Sequence, residues 1–170
     1  MDGGFTVQPL GASHDRKIFR CGVEPLDRYF REQAAQDVRR RISNCFVACD
    51  EGGTVAGYYT FAATSFPLVD LPEGDAKRLP RYGMIPAGLI GRLAVDARFR
   101  GQRLGAALVI NAARRAANAD PAIFALVVDA KDEAALGFYA HLGFRQFVSR
   151  PMSLFLPIAT VMKAIGVSEG

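Results

Sequence analysis

"DARFRGQRLGAALV", residues 96–109, crowds two arginines and two glycines into the start of a helix, as Arg100-Gly101-Gln102-Arg103-Leu104-Gly105. One capping side chain is enough to start a helix, and glycine there is conformationally costly. Something at this point requires close backbone approach and positive charge. The preceding "GLIGRLAV" (88–95) reads as a strand. A strand–glycine turn–helix exposes several unpaired backbone N–H groups, with the positive end of the helix dipole behind them, and suits a phosphate or pyrophosphate. Gly101 and Gly105 admit the ligand to the backbone, and Arg100 and Arg103 add charge. A Walker loop is excluded, because it needs Gly-Lys-Ser/Thr. The dinucleotide fingerprint needs three spaced glycines and an acidic residue about 20 further on; only two glycines are present, and this strand follows a hairpin. Taken alone, the stretch also reads as a solvated basic turn with a tight helix–strand contact.

Working outward, "FTVQPL" (5–10) is an edge strand. "EPLDRYFREQAAQDVRRR" (24–41) is one helix, with Pro25 in its first turn and Leu26, Phe30, Ala34 and Val38 as its buried stripe. "CFVACD" (45–50) and "TVAGYYTFAA" (54–63) form a hairpin turning at Glu51-Gly52-Gly53. "TSFPLVDLPEGDAKRLPRYGMIPA" (64–87) carries four prolines and reads as a long functional loop with one helical turn. Residues 103–119 form a helix with Leu104, Ala107, Leu108 and Ala112 inward and Arg114, Arg115 and Asn118 outward; Pro121 follows. "IFALVVDA" (123–130) is continuously apolar, as a central parallel strand should be. "DEAALGFYAHLGF" (132–144) is a helix capped by Asp132 and Gly143, with Ala135, Phe138 and Leu142 inward and Tyr139 at the margin. Segments around "GFRQFV" and "LFLPIATVMK" finish the sheet. The fold class is α/β: a mixed central sheet with helices on both faces.

The chain has 170 residues, which suits one domain over 1–170. Half of it is hydrophobic and 22% is charged, a globular composition. The start "MDGGFTVQPL" has no basic region followed by an apolar run, and no apolar run approaches the ~20 residues of a membrane span. Three cysteines and two histidines, His14 and His141, argue against a zinc site and for small buried thiols in a reducing, cytoplasmic setting. The net charge is +4, carried mostly by arginine, which favours bidentate phosphate contacts.

"RLAVDARFRGQRLGAAL" resembles the acetyl-CoA-binding motif of the GNAT acetyltransferase superfamily, Gln/Arg-x-x-Gly-x-Gly/Ala. "DEAALGFYAHLGF" is similar to that superfamily's Asn-x-x-Ala-x-x-x-Tyr…Gly-Phe helix. Arg103 stands where the pattern has glycine, and Asp132 where asparagine is usual. "FRCGVEPLDRYFREQAAQDVRRR", "VAGYYTFAATS", "GRLAVD", "ALVVDAKDEAALGFY" and "LFLPIATV" extend the resemblance, nearly end to end, to the TacT-type acetyltransferase toxins of bacterial toxin–antitoxin modules. The resemblance implies the GNAT fold, acetyl-CoA as co-substrate and acetylation of the free α-amine of aminoacyl-tRNA, which blocks translation. It also implies a homodimer and a ribbon-helix-helix antitoxin through which alone operator DNA is met.

Residue by residue, it implies that pantetheine hydrogen-bonds backbone at Leu93 and Val95 and that an N–H near Leu93 or Ala94 holds the oxyanion. The pyrophosphate lies on N–H groups from Gln102 to Ala106, so Arg100, Gly101, Gln102, Arg103, Leu104, Gly105 and Ala106 form the cofactor turn. Tyr139 protonates the departing thiolate, and its ordinary pKa of ~10 keeps it protonated. No histidine or glutamate in these motifs offers a general base, but an α-amine titrates near ~7.7–8, so much of it is already neutral. On the first helix Arg28, Arg31 and Arg39 share one narrow stripe, followed by Arg40 and Arg41; Arg78, Arg81 and Arg92 add charge. These arginines read either as phosphate contacts for tRNA or as a solvated face. Two other functions stay open: acetylation of a small amine or protein N-terminus, and a non-catalytic module that binds CoA or an antitoxin.

Overall fold

The computed structural model describes residues 4–81 and 83–164. Seven strands hydrogen-bond in the order β1-β2-β3-β4-β5-β7-β6. They are β1 (Thr6–Pro9), β2 (Asn44–Cys49), β3 (Val55–Pro67), β4 (Met84–Val95), β5 (Ala125–Asp129), β6 (Arg145–Gln146) and β7 (Ser153–Pro157). The helices are α1 (Glu24–Glu32), α2 (Ala34–Arg39), α3 (Glu73–Ala76), α4 (Leu104–Ala117), α5 (Glu133–His141) and α6 (Ile158–Ala164). The sheet is mixed: β1–β2–β3 and β5–β7–β6 are antiparallel, whereas β4–β5 is parallel. The chain divides into two compact units, Met1–Ala62 with Gly91–Ala112 and Ala63–Ile90 with Ala113–Gly170.

In the first unit, β2 and β3 form the expected hairpin. Its turn is held by Asp50, whose carboxylate accepts from the N–H groups of Gly52 and Thr54. Cys45, Val47 and Cys49 alternate onto one face of β2 and enter a core with Phe19, Tyr29, Phe30 and Tyr58. Phe30 stacks on Tyr58 at 4.4 Å, and the Tyr58 hydroxyl donates to Leu26 O. The three cysteines are buried thiols that form no disulfide among the described residues.

The helix expected over 24–41 is instead two, α1 and α2, parted at Gln33 (φ −121°). Arg16 supplies the physical reason. Its guanidinium donates to the carbonyls of Phe30 and Arg31, which an unbroken helix would offer to residues four further on. The stripe survives in part: Phe30 and Ala34 are buried, while Leu26 and Val38 are half-buried against the same core. α2 ends in a Schellman motif, with Ile42 N–H on Asp37 O and Arg41 N–H on Val38 O. Arg41 takes the left-handed residue of that motif, at φ 61°.

In the second unit, the expected loop 64–87 is shorter, because β3 runs on to Pro67 and β4 begins at Met84. Phe66, Leu71 and Ile85 of that stretch are core residues, alongside Val127, Phe147 and Phe155. Between the strands lie a 3₁₀ turn at Leu68–Asp70 and the single-turn α3. Asp70 pairs with Arg150, and Asp75 with Arg145. The last apolar segment is a strand only as far as Pro157; from Ile158 it is α6. α5 is capped as expected, by Asp132 in front and Gly143 behind, the latter at φ 103°. Its inward residue differs: Tyr139 is buried, and Phe138 is only half-buried beside it.

Candidate functional site

The start of α4 is an open array of backbone donors. The first intrahelical bond runs from Ala107 N–H to Arg103 O. Among the described residues, no protein acceptor meets the N–H groups of Gly101, Gln102, Arg103, Leu104, Gly105 or Ala106. Four of these, Arg103 to Ala106, are the donors every helix leaves open; the other two come from the turn before it. Arg103 has no acceptor with which to cap the helix. Gly101 (φ 81°) and Arg103 (φ 58°) both take the left-handed conformation that folds the turn back on itself. An arginine there stores about 1–3 kcal/mol of backbone strain, which explains why glycine is usual at this position. Such an array fits a pyrophosphate.

Asp96, which sequence reasoning passed over, braces the turn. It is buried, and its carboxylate accepts from the N–H groups of Arg20 and Arg98 and from the Arg98 guanidinium. Burial alone would raise its pKa, but the hydrogen bonds from Arg98 and Arg20 outweigh it and hold the carboxyl below its usual range. The available signal was an Asp just before a short turn, which is a cap. Arg100 does not simply add charge to the turn, because its guanidinium donates to Cys21 O at 2.6 Å. Gln102 and Arg103 are exposed, and Gly105 and Ala106 are half-buried. Gly57 lets β3 pass close to α4: a Cβ there would meet Ala94 O at 3.0 Å and Leu108 Cδ1 at 3.2 Å.

Leu93, Ala94 and Val95, where backbone for pantetheine and the oxyanion is expected, lie beyond the part of β4 that pairs with β5. Register pairing of β4 with β5 ends at Ile90↔Val128, although β4 itself continues to Val95. Ala94 is buried, and Leu93 and Val95 are half-buried. Arg92 N–H donates to Thr60 Oγ1, and the Arg92 guanidinium lies 3.6 Å from the centre of the Tyr29 ring.

Tyr139, in the second unit, is 8% exposed and packs edge-on against Phe138 and Phe144. Among the described residues its hydroxyl has no hydrogen-bond partner. Burial pushes its pKa up to about 12. The hydroxyl therefore stays protonated at any ordinary pH.

The expected arginine stripe is not one stripe. The break at Gln33 puts Arg39 on a different helix from Arg28 and Arg31, so their spacing no longer places them on a common face. Arg28 and Arg31 both pair with Glu24, at 3.7 and 3.4 Å. Arg39, Arg40 and Arg41 are exposed and make no ion pair among the described residues. Arg78 and Arg81, exposed after α3, belong to the second unit.

Residues 13–144 match the model of the acetyltransferase (GNAT) family. A probable toxin TacT of Sinorhizobium fredii is 32% identical over 94% of both chains. A tRNA-acetylating toxin of Mycobacterium tuberculosis is 31% identical over 98% of this chain and 99% of its own. The structure is similar to that of AtaT complexed with acetyl-methionyl-tRNAfMet, with a TM-score of 0.87, 31% identity, and coverage of 95% and 99%. A Tyr→Phe variant of the AtaT toxin, bound to the C-terminus of the antitoxin AtaR and to acetyl-CoA, superposes with a TM-score of 0.80 at 28% identity, covering 96% and 99%.

Proposed function

The chain belongs to the acetyltransferase (GNAT) family, and from that premise we propose that it is a toxin-type N-acetyltransferase that moves acetyl from acetyl-CoA to the α-amine of aminoacyl-tRNA. The observation that carries this is the run of six acceptor-less amides, Gly101 to Ala106, at the start of α4. They suit the pyrophosphate of CoA, with the backbone of Leu93 and Val95 for its pantetheine arm. The likeness over almost the whole chain to toxins named for tRNA acetylation, and to one solved with an acetylated tRNA, supports the acceptor.

In the reaction the neutral α-amine attacks the thioester carbonyl, an amide bond forms and the carbon–sulfur bond breaks. The thiolate takes the Tyr139 proton, the amine's surplus proton leaves to water, and water returns a proton to Tyr139. That a Tyr→Phe variant was made of the AtaT toxin supports a working tyrosine. Arg39, Arg40 and Arg41 stand ready for tRNA phosphates, as do Arg78 and Arg81, and Arg92 adds a further cation for the RNA. Arg28 and Arg31 are partly neutralised by Glu24 and contribute less. The chain works as one domain over 1–170, as a homodimer in the cytoplasm. A ribbon-helix-helix antitoxin neutralises it and alone carries it to operator DNA. Among the described residues no helix is long and apolar enough to cross a membrane.

The test is direct. Purified protein with acetyl-CoA and a pool of charged tRNAs should yield N-acetyl-aminoacyl-tRNA, read by mass spectrometry after nuclease digestion. CoA release with small amines but no acetylated tRNA from any charged species would establish the small-amine function instead.

A further inference from the structure

Arg92 and Tyr29 form a feature that charge alone does not explain. Tyr29 is almost wholly buried, and its hydroxyl is fixed by a 2.8 Å hydrogen bond to Asp37 Oδ2. Burial and that hydrogen bond push its pKa well above the ordinary value, so it is a neutral ring throughout. The Arg92 guanidinium carbon lies 3.6 Å from the centre of that ring, the separation of stacked planes. Arg92 is exposed, and among the described residues its guanidinium makes no hydrogen bond or ion pair. One face of a planar cation is therefore seated on a rigid aromatic, and the rest of it meets solvent. The backbone beneath is fixed as well, because Arg92 N–H is held by Thr60 Oγ1 and Thr60 is buried. A side chain meant only to attract phosphates has no need of this, since an unrestrained lysine or arginine does as well. A fixed, flat, cationic surface suits a π-face, and every nucleobase has one.

Its place on the strand says which base. Arg92 immediately precedes Leu93, where the backbone of β4 awaits the reacting thioester. In aminoacyl-tRNA the α-amine to be acetylated sits on an amino acid esterified to the terminal ribose. The base of that same nucleoside thus arrives within one nucleoside's length of the reacting carbonyl. We infer that Arg92, seated on Tyr29, is the platform on which the 3′-terminal base of the tRNA stacks, an inference that rests on the tRNA-acetylating function proposed above.

The test compares the parent with Arg92→Lys, which keeps the charge and removes the plane. Three acceptors are used: an aminoacyl-tRNA the parent acetylates, the matching 3′-O-aminoacyl-adenosine, and the methyl ester of the same amino acid. Loss of one stacked base should raise KM about 10-fold for both nucleoside-bearing acceptors. The methyl ester, which has no base, should show no such rise, nor should acetyl-CoA. A lysine variant with the parent's KM values would overturn the inference, because the contact would then be one of charge. A rise for the tRNA without one for aminoacyl-adenosine would also overturn it, placing the contact elsewhere on the tRNA. If the parent acetylates no aminoacyl-tRNA, the proposed function itself fails, and that is visible before any variant is made.

Discussion

Two helix starts in this chain solve the same problem in opposite ways. α5 begins under Asp132, whose carboxylate accepts the N–H of Ala135 at 2.8 Å, so the helix satisfies a terminal donor from its own sequence. α4 begins after Arg103, which has no acceptor to offer, and the left-handed turn leaves two further amides open with it. α5 is closed for stability. α4 is left open, and open donors are stable only in water or against an anion. On the proposed function, the working element of α5 is a side chain seven residues beyond its cap, Tyr139, whereas that of α4 is its backbone.

The hardest way to break the comparison is to fill the open start. Gly105→Trp should weaken acetyl-CoA binding at least ~100-fold, about 2.8 kcal/mol, with the circular-dichroism spectrum kept; unchanged affinity by calorimetry would show that the amides serve no ligand. Next comes Tyr139→Phe. It keeps the ring that packs on Phe138 and Phe144 and deletes only the proton donor, so acetylation should slow roughly 100-fold, the lower part of the range for a positioned acid, because a thiolate leaves tolerably unprotonated. Acetyl-CoA affinity should hardly move. A single-turnover rate within a few-fold of the parent would make Tyr139 a packing residue. Since burial raises its pKa to about 12, the acid form persists as pH rises past 10. The single-turnover rate should therefore show no alkaline fall centred on 10, and a fall there would mean that the donor is an unperturbed group.

The smaller effects sharpen the contrast. Asp132→Ala removes the α5 cap and should cost about 1 kcal/mol of stability in urea unfolding, with acetyl-CoA affinity intact. Arg103→Gly should do the reverse at α4. Relief of the left-handed strain should gain roughly 1 kcal/mol, while acetyl-CoA binds only a few-fold more weakly for want of one charge. If the glycine variant is less stable, Arg103 makes contacts that offset its strain.

The open turn before α4 was legible because its marks are local: Gly101 where the backbone turns left-handed, and Arg103 where a cap would stand. Asp132 and Gly143 were legible for the same local reason. What escaped depends on distant partners. Nothing near Gln33 announces a break, because the break is made by Arg16 reaching the carbonyls of Phe30 and Arg31. The stretch 64–87 looked like a loop through its prolines, yet Phe66, Leu71 and Ile85 bury themselves and draw β3 and β4 into it. Tyr139 and Phe138 were exchanged because α5 is apolar almost all round, with Leu136 and Tyr139 to one side of the face that Phe138 and Leu142 share, and such a helix does not declare its inner face. Arg92 was read as one charge among several, and only the ring beneath it shows otherwise.

All three cysteines, Cys21, Cys45 and Cys49, are buried thiols of the first unit, and the second has none. Burial raises the pKa of Cys45 to about 12 and also lifts that of Cys49, and only a thiolate reacts. An alkylating reagent in excess therefore keeps time for one half of the molecule alone. Each modified thiol marks an opening of the first unit, whatever the second is doing. Mass counting of adducts during slow denaturation would show whether the halves let go together or one after the other, with no label engineered into the chain.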